Sequence, residues 1–168
     1  MSLFSKLFKK KQSKPEIKER NLFNMKVNDI VTYELEDFQV VGKLRYNDHG
    51  YEWIAYQLLG SDETLWLSVE MDDELELAMY KSIKHKLSEP IPEKLDVNGT
   101  EYFLDEKGQA RVQGEGRGKN VDGREVKYYD FANEEEDKFL SIEVWGSEVE
   151  VSEGYEIDDY EIKILAAS

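Results

Sequence analysis

Between residues 26 and 165 apolar and polar positions alternate in short runs rich in Val, Ile, Tyr, Phe and Trp. The runs are broken by "NDHG" (47–50), "GSDE" (60–63) and "DEKG" (105–108). A period of two sends successive side chains to opposite faces of a strand, and clusters of Gly, Asn and Asp mark turns. The pattern predicts antiparallel strands in meander order, with no helix of ten or more residues beyond the first 14. All three prolines, Pro15, Pro90 and Pro92, fall in stretches that read as linkers, 12–24 and 86–95.

The pattern also repeats. "KVNDIVTY" (26–33) matches "DVNGTEYF" (96–103) at an offset of 70, and "YQLLGSDETLWLSVEM" (56–71) matches "YDFANEEEDKFLSIEV" (129–144) at 73. "LEL" (75–77) then matches "VEV" (149–151) at 74. Small insertions placed in turns explain the drift, so the chain reads as an internal duplication. The expected organisation is a basic arm and linker (1–24), a first β unit (25–87), a linker (88–95) and a second β unit (96–168). A four- to five-stranded sheet is weakly stable alone, and two such sheets gain by burying apolar faces together. The expected fold class is therefore mainly β: duplicated antiparallel units packed as a sandwich or as paired small barrels, with a short N-terminal amphipathic helix. In "WLSVEM" and "FLSIEV" the core face would carry Leu67, Val69 and Met71, and Leu140, Ile142 and Val144. The opposite faces, expected to point outward, carry Trp66, Ser68 and Glu70, and Phe139, Ser141 and Glu143.

Charge changes the picture at the N-terminus. Residues 1–20 hold seven basic side chains against two acidic ones, +5 net; with −15 for the whole chain the remainder carries −20. Such a body repels phosphate backbones, which argues against nucleic-acid binding. On a helix Leu3, Phe4, Leu7 and Phe8 form one stripe, with Lys6, Lys9 and Lys10 mostly elsewhere and Lys11 following. Ser2 suits its cap and Pro15 its end. An aromatic stripe among lysines suits an anionic membrane surface; docking on a protein and a plain solubilising tail are the alternatives. Cysteine is absent, excluding disulfides and thiolate chemistry. No apolar run reaches the roughly 18–20 residues a spanning helix needs, and no signal-peptide core is visible. The expected location is the cytoplasm, with the inner membrane face as a peripheral site.

"YEWIAYQLLGSDETLWLSVEMDDELELAMYKSI" (51–83) combines a Trp-x-x-Tyr-x-Leu hairpin, a Trp-Leu strand, an acidic turn and a further strand. This resembles the bacterial domain-of-unknown-function family DUF4178. "REVKYYDFANEEEDKFLSIEV" (124–144) resembles it again, with Val126 where Trp53 stands, implying two tandem copies. The resemblance implies no activity and lends no catalytic residue. Relatives encoded near membrane-stress and polyamine-synthase-like genes make it lean toward the membrane reading.

The outward phrase aromatic–Ser–Glu is the best candidate for chemistry. If a twofold relates the copies, Trp66, Glu70, Phe139 and Glu143 converge near its axis, with Ser68 and Ser141 alongside. Carboxylates beside aromatic faces suit an amine or polyamine cation; the competing reading is an ordinary solvated sheet face. Other motifs carry less. "GEGRGKN" (114–120) lacks the spacing of a phosphate loop and reads as a flexible hairpin or bulge. The acidic turns at 61–63, 72–74 and 134–137 lack the calcium-loop pattern. His49 and His85 stand alone, so no metal site or cofactor is expected. With 37 acidic residues, chance carboxylate pairs are plentiful and none marks an active site. Two functional readings result. The first is a non-enzymatic β-module that binds a protein partner, recruited to the membrane surface by residues 1–14. The second is a small-ligand or cation-binding protein using the symmetric aromatic–carboxylate site.

Overall fold

The structure, a computed structural model, describes residues 19–167. Eleven strands form one antiparallel sheet. The first half contributes β1 (Ile30–Tyr33), β2 (Glu36–Asp48), β3 (Tyr51–Leu59), β4 (Thr64–Met71) and β5 (Leu75–Ile83). The second contributes β6 (Lys94–Val97), β7 (Thr100–Gly116), β8 (Glu125–Ala132), β9 (Lys138–Trp145), β10 (Glu148–Ile157) and β11 (Lys163–Leu165). No α-helix occurs among the described residues; the expected N-terminal helix lies outside them. The "NDHG" and "GSDE" turns fall between strands as the pattern predicts, and His49 and Gly50 take the positive φ of a two-residue hairpin loop.

Strands β2–β5 and β7–β10 are two four-stranded meanders. β2 pairs with β7 and β5 with β10, so the meanders close into an eight-stranded barrel. The units are thus joined edge to edge, which corrects the expected sandwich or pair of small barrels. Every strand edge of one meander is satisfied by the other, leaving the barrel no open edge. β1 and β11 extend the sheet from the first part of β2, and β6 from the first part of β7.

The faces also meet differently from expectation. The apolar faces point out of the barrel, and each is covered by its own flap. Phe38, Tyr56, Leu67, Val69 and Met79 pack under the segment preceding β1, β1 itself and Ile162. Leu140, Ile142, Val144 and Phe131 pack under β6 and the stretch bearing Leu87 and Ile91. Five of the six expected core residues are buried; Met71, at the end of β4, is 49% exposed. The aromatic–Ser–Glu faces, expected outside, line the barrel's interior.

Two bulges make this arrangement possible. The β2–β3 register slips between Val40 and Gly42, and the β7–β8 register between Leu104 and Glu106. One extra residue turns every following side chain to the other face. Phe38 and Val40 therefore face the first outer core, while Leu44 and Tyr46 face the lumen. Tyr102 and Leu104 face the second outer core, while Ala110 and Val112 turn inward. The second bulge lies inside "DEKG", which is strand rather than the expected turn.

Candidate functional site

Each barrel strand presents its inward set to a single cavity of about 350 Å³. Aromatic rings from six of the eight strands line it. Tyr46 and Trp53 stack face to face with ring centres 5.0 Å apart, and Tyr128 meets Trp53 edge-on at 5.1 Å. Trp66, Tyr80 and Trp145 also line the cavity. Gly154 makes room for Tyr80: a Cβ there would lie 2.5 Å from the ring.

Five carboxyl groups enter the same space: Glu70 from β4, Glu106 from β7, Asp130 from β8, Glu143 from β9 and Glu150 from β10. Tyr46 Oη donates to Glu143 Oε2 at 2.7 Å, and the Tyr51 hydroxyl donates to Glu70. Burial pushes the Asp130 carboxyl up to about 8, with the charges of Glu106, Glu70 and Glu143 adding to the effect. Burial likewise lifts Glu143 to about 7; the Tyr46 hydrogen bond opposes the shift and the Glu150 charge adds to it. Glu106 and Glu150 are raised as well, mainly by desolvation. Asp130 and Glu143 are half-buried, neither open to bulk solvent nor fully enclosed, which is the environment of a low-dielectric cleft. Near neutral pH part of the cluster therefore holds protons.

The carboxylates are spread around the lumen. Among the described residues no group of three or more His, Cys, Asp or Glu is gathered closely enough to hold a metal ion. His49 sits in the exposed β2–β3 turn beside Asp48. An extended organic cation suits dispersed carboxylates and aromatic faces better than a point ion does.

The stretch 114–120 forms the end of β7 and a 3-10 turn, Arg117–Val121, that folds back against β7 and β2. It is built tightly, in contrast to the expected flexible hairpin. A Cβ on Gly114 would lie 1.9 Å from the Gly118 carbonyl oxygen, and Gly116 has φ 61°. The turn brings Arg117, Asn120 and Val121 to the cavity. Gly114→Ala has only backbone to push against, so it should cost about 2 kcal/mol and displace the turn. Thermal melts, together with tryptophan emission reporting on water access to Trp53 and Trp66, check this.

Of the six residues picked from the sequence, Trp66, Ser68, Glu70, Ser141 and Glu143 line the cavity. Phe139 shares their strand face, near the far end of β9, outside the cavity lining. The membrane-contact set Leu3, Phe4, Lys6, Leu7, Phe8, Lys9, Lys10 and Lys11 lies outside the described residues. Sequence reasoning missed Tyr46, Glu106, Tyr128, Asp130 and Glu150. A signal for two of them existed: the offset of 73 sets Asp130 against Gln57 and Tyr128 against Ala55, all on the inward face.

Fold and site together define a closed β-barrel that carries an acidic, aromatic face inward and its apolar face outward. Residues 26–159 match the family described as domain of unknown function (DUF4178), and the chain belongs to that family. The match runs once through both halves, so it does not bear out a separate copy in each unit. Uncharacterised proteins of Mycobacterium bovis and Mycobacterium tuberculosis are 30% identical over 133 residues, covering 76% of this chain. The chain spans 62% of the length of those relatives. No solved structure matches it.

Proposed function

We propose that the chain is a non-catalytic binding protein whose barrel lumen takes an organic cation of the amine or polyamine class. The observation that carries this reading is the pairing, in one cavity, of partly desolvated carboxyl groups with aromatic side chains. Carboxyl groups held near their titration point repel one another, and a cation relieves that repulsion while its methylenes lie against Trp53 and Trp66. A cavity of this size falls in the usual range for small-ligand sites. The same reading takes the two halves as copies of one ancestral unit, supported by the matching meanders and the equivalent bulges.

The test is calorimetric titration with cadaverine, spermidine and the uncharged 1,5-pentanediol. Binding of the amines but not the diol is expected, strengthening from pH 6 to pH 8 as the carboxyls lose protons. Glu70→Gln with Glu143→Gln should abolish it while the fold persists. If no amine binds, or the diol binds equally well, the reading fails.

Membrane recruitment by residues 1–14 is a separate proposal, supported by the +5 charge and the Leu3, Phe4, Leu7, Phe8 stripe. Full-length chain should co-sediment with anionic vesicles, salt should release it, and a chain lacking residues 1–14 should stay in solution. Equal behaviour of the two chains counts against it. The protein-partner reading rests on the acidic surface and has no element in the fold that favours it over the cavity.

A further inference from the structure

The 3-10 turn Arg117–Val121 sets one positive side chain at a cavity otherwise lined by five carboxyl groups. Three glycines hold it there. Gly114 admits the Gly118 backbone, Gly116 turns the chain against Val41, and Gly118 is buried against Leu44. A loose surface loop needs none of these close approaches. Yet among the described residues Arg117 forms no ion pair, although five acids share its cavity. An exposed guanidinium whose backbone is held at the site, with its donors uncommitted, is suited to a planar anion. Asn120 lies on the same turn and adds both a donor and an acceptor.

We infer that the ligand is zwitterionic: its ammonium end lies among the lumen carboxylates, and a carboxylate at its other end is held by Arg117 on the Arg117–Val121 turn. This rests on the cation reading above and narrows it from amines in general to amino acids with a basic side chain. The charge layout supports the division. The carboxyl groups come from β4, β7, β8, β9 and β10, whereas Arg117 and Asn120 come from the turn that packs against β2 and the end of β7. A dication without an anionic group would meet Arg117 as a like charge. A zwitterion meets an opposite charge with each of its ends.

The competing account makes Arg117 a general counter-ion that softens carboxylate repulsion. The two accounts separate on a matched pair of ligands. Lysine is cadaverine with one added carboxylate, and both are titrated into the full-length chain at pH 7.5. The expected result is that lysine binds about tenfold more tightly than cadaverine, the gain from one charge-assisted contact. Arg117→Ala should remove that advantage by weakening lysine and tightening cadaverine several-fold, and Arg117→Lys should restore part of it. Arg117 is exposed, so its variants should melt with the parent protein and report on binding alone. The inference is overturned if cadaverine binds the parent as tightly as lysine, or if Arg117→Ala shifts both ligands equally; cation binding would then stand without it. Binding of neither ligand removes the cation reading and this one together.

Discussion

Asp130→Asn combined with Glu143→Gln should make the ligand-free protein more stable at pH 8.5 while weakening cadaverine binding by at least about a hundredfold. The sign follows from the direction of the shifts. Both carboxyl groups titrate higher in the fold than in an unfolded chain, Asp130 near 8 and Glu143 near 7. The stability they contribute is fully present below the ordinary carboxylate range, near 4. It is lost as pH rises through about 7 to 8, because folding then confines charges that the unfolded chain hydrates freely. The parent should therefore lose stability between pH 5 and pH 8.5, and the double variant should lose less. Both groups are only half-buried, so solvent screening reduces the effect and a difference of about 2 kcal/mol at pH 8.5 is the scale expected. At pH 5 the amides resemble the protonated acids they replace, and the two proteins should be close. Urea denaturation at the two pH values reads this directly. Variants less stable at both would mark the carboxyls as structural hydrogen-bond partners and remove the main support for a ligand. A cluster that costs the empty fold stability and returns it on binding is the ordinary signature of a functional site.

The sequence shows the two faces of the strands clearly and hides which face meets what. "WLSVEM" and "FLSIEV" alternate without interruption, so the separation of Leu67 and Val69 from Ser68 and Glu70 is local information. Which face the other half of the molecule covers depends on how the meanders join, and that is decided by β2–β7 and β5–β10 pairing far apart in sequence. An apolar face buried under a flap of the same unit looks identical in sequence to one buried against a second unit. The bulges are hidden for a similar reason. Val41 and Asp105 are unremarkable residues, and each reverses the pattern halfway along a strand, which is how "DEKG" passes for a turn. Asp130 in "KYYDF" was missed because a single acid among aromatics reads as a solvated position until the opposite strands are placed around it.

The largest loss of stability should come from a residue with no part in the lumen. Asp29 is wholly buried, with Arg20 Nε 2.8 Å from its Oδ2. The same oxygen accepts from the Lys26 amide at 2.8 Å, while Oδ1 accepts from the Ala167 amide at 2.8 Å. One carboxylate therefore ties the stretch before β1 to the residues after β11, above a core that includes Met25, Val31 and Ile162. Tyr56 and Lys43 pin that stretch from beneath by bonding the carbonyls of Leu22 and Met25. Asp29→Ala leaves two amides without their acceptor and the Arg20 guanidinium without its counter-charge, and should cost about 3–5 kcal/mol, the range for breaking a buried charged contact. Asp29→Asn should recover little, since its amide group must turn a donor toward either the Ala167 amide or the Lys26 amide and Arg20. Arg20→Ala should cost less, because both backbone donors still reach the carboxylate. Thermal and urea unfolding give the magnitudes, and hydrogen exchange should show β1 and β11 opening first. An Asn variant as stable as the parent would show that the charge is dispensable and the clasp is mere packing. Below its melting temperature the Asp29→Ala protein should still bind cadaverine, since this flap lies on the outside of the barrel. Stability held in the two outer cores is what leaves the lumen able to carry five carboxyl groups at once.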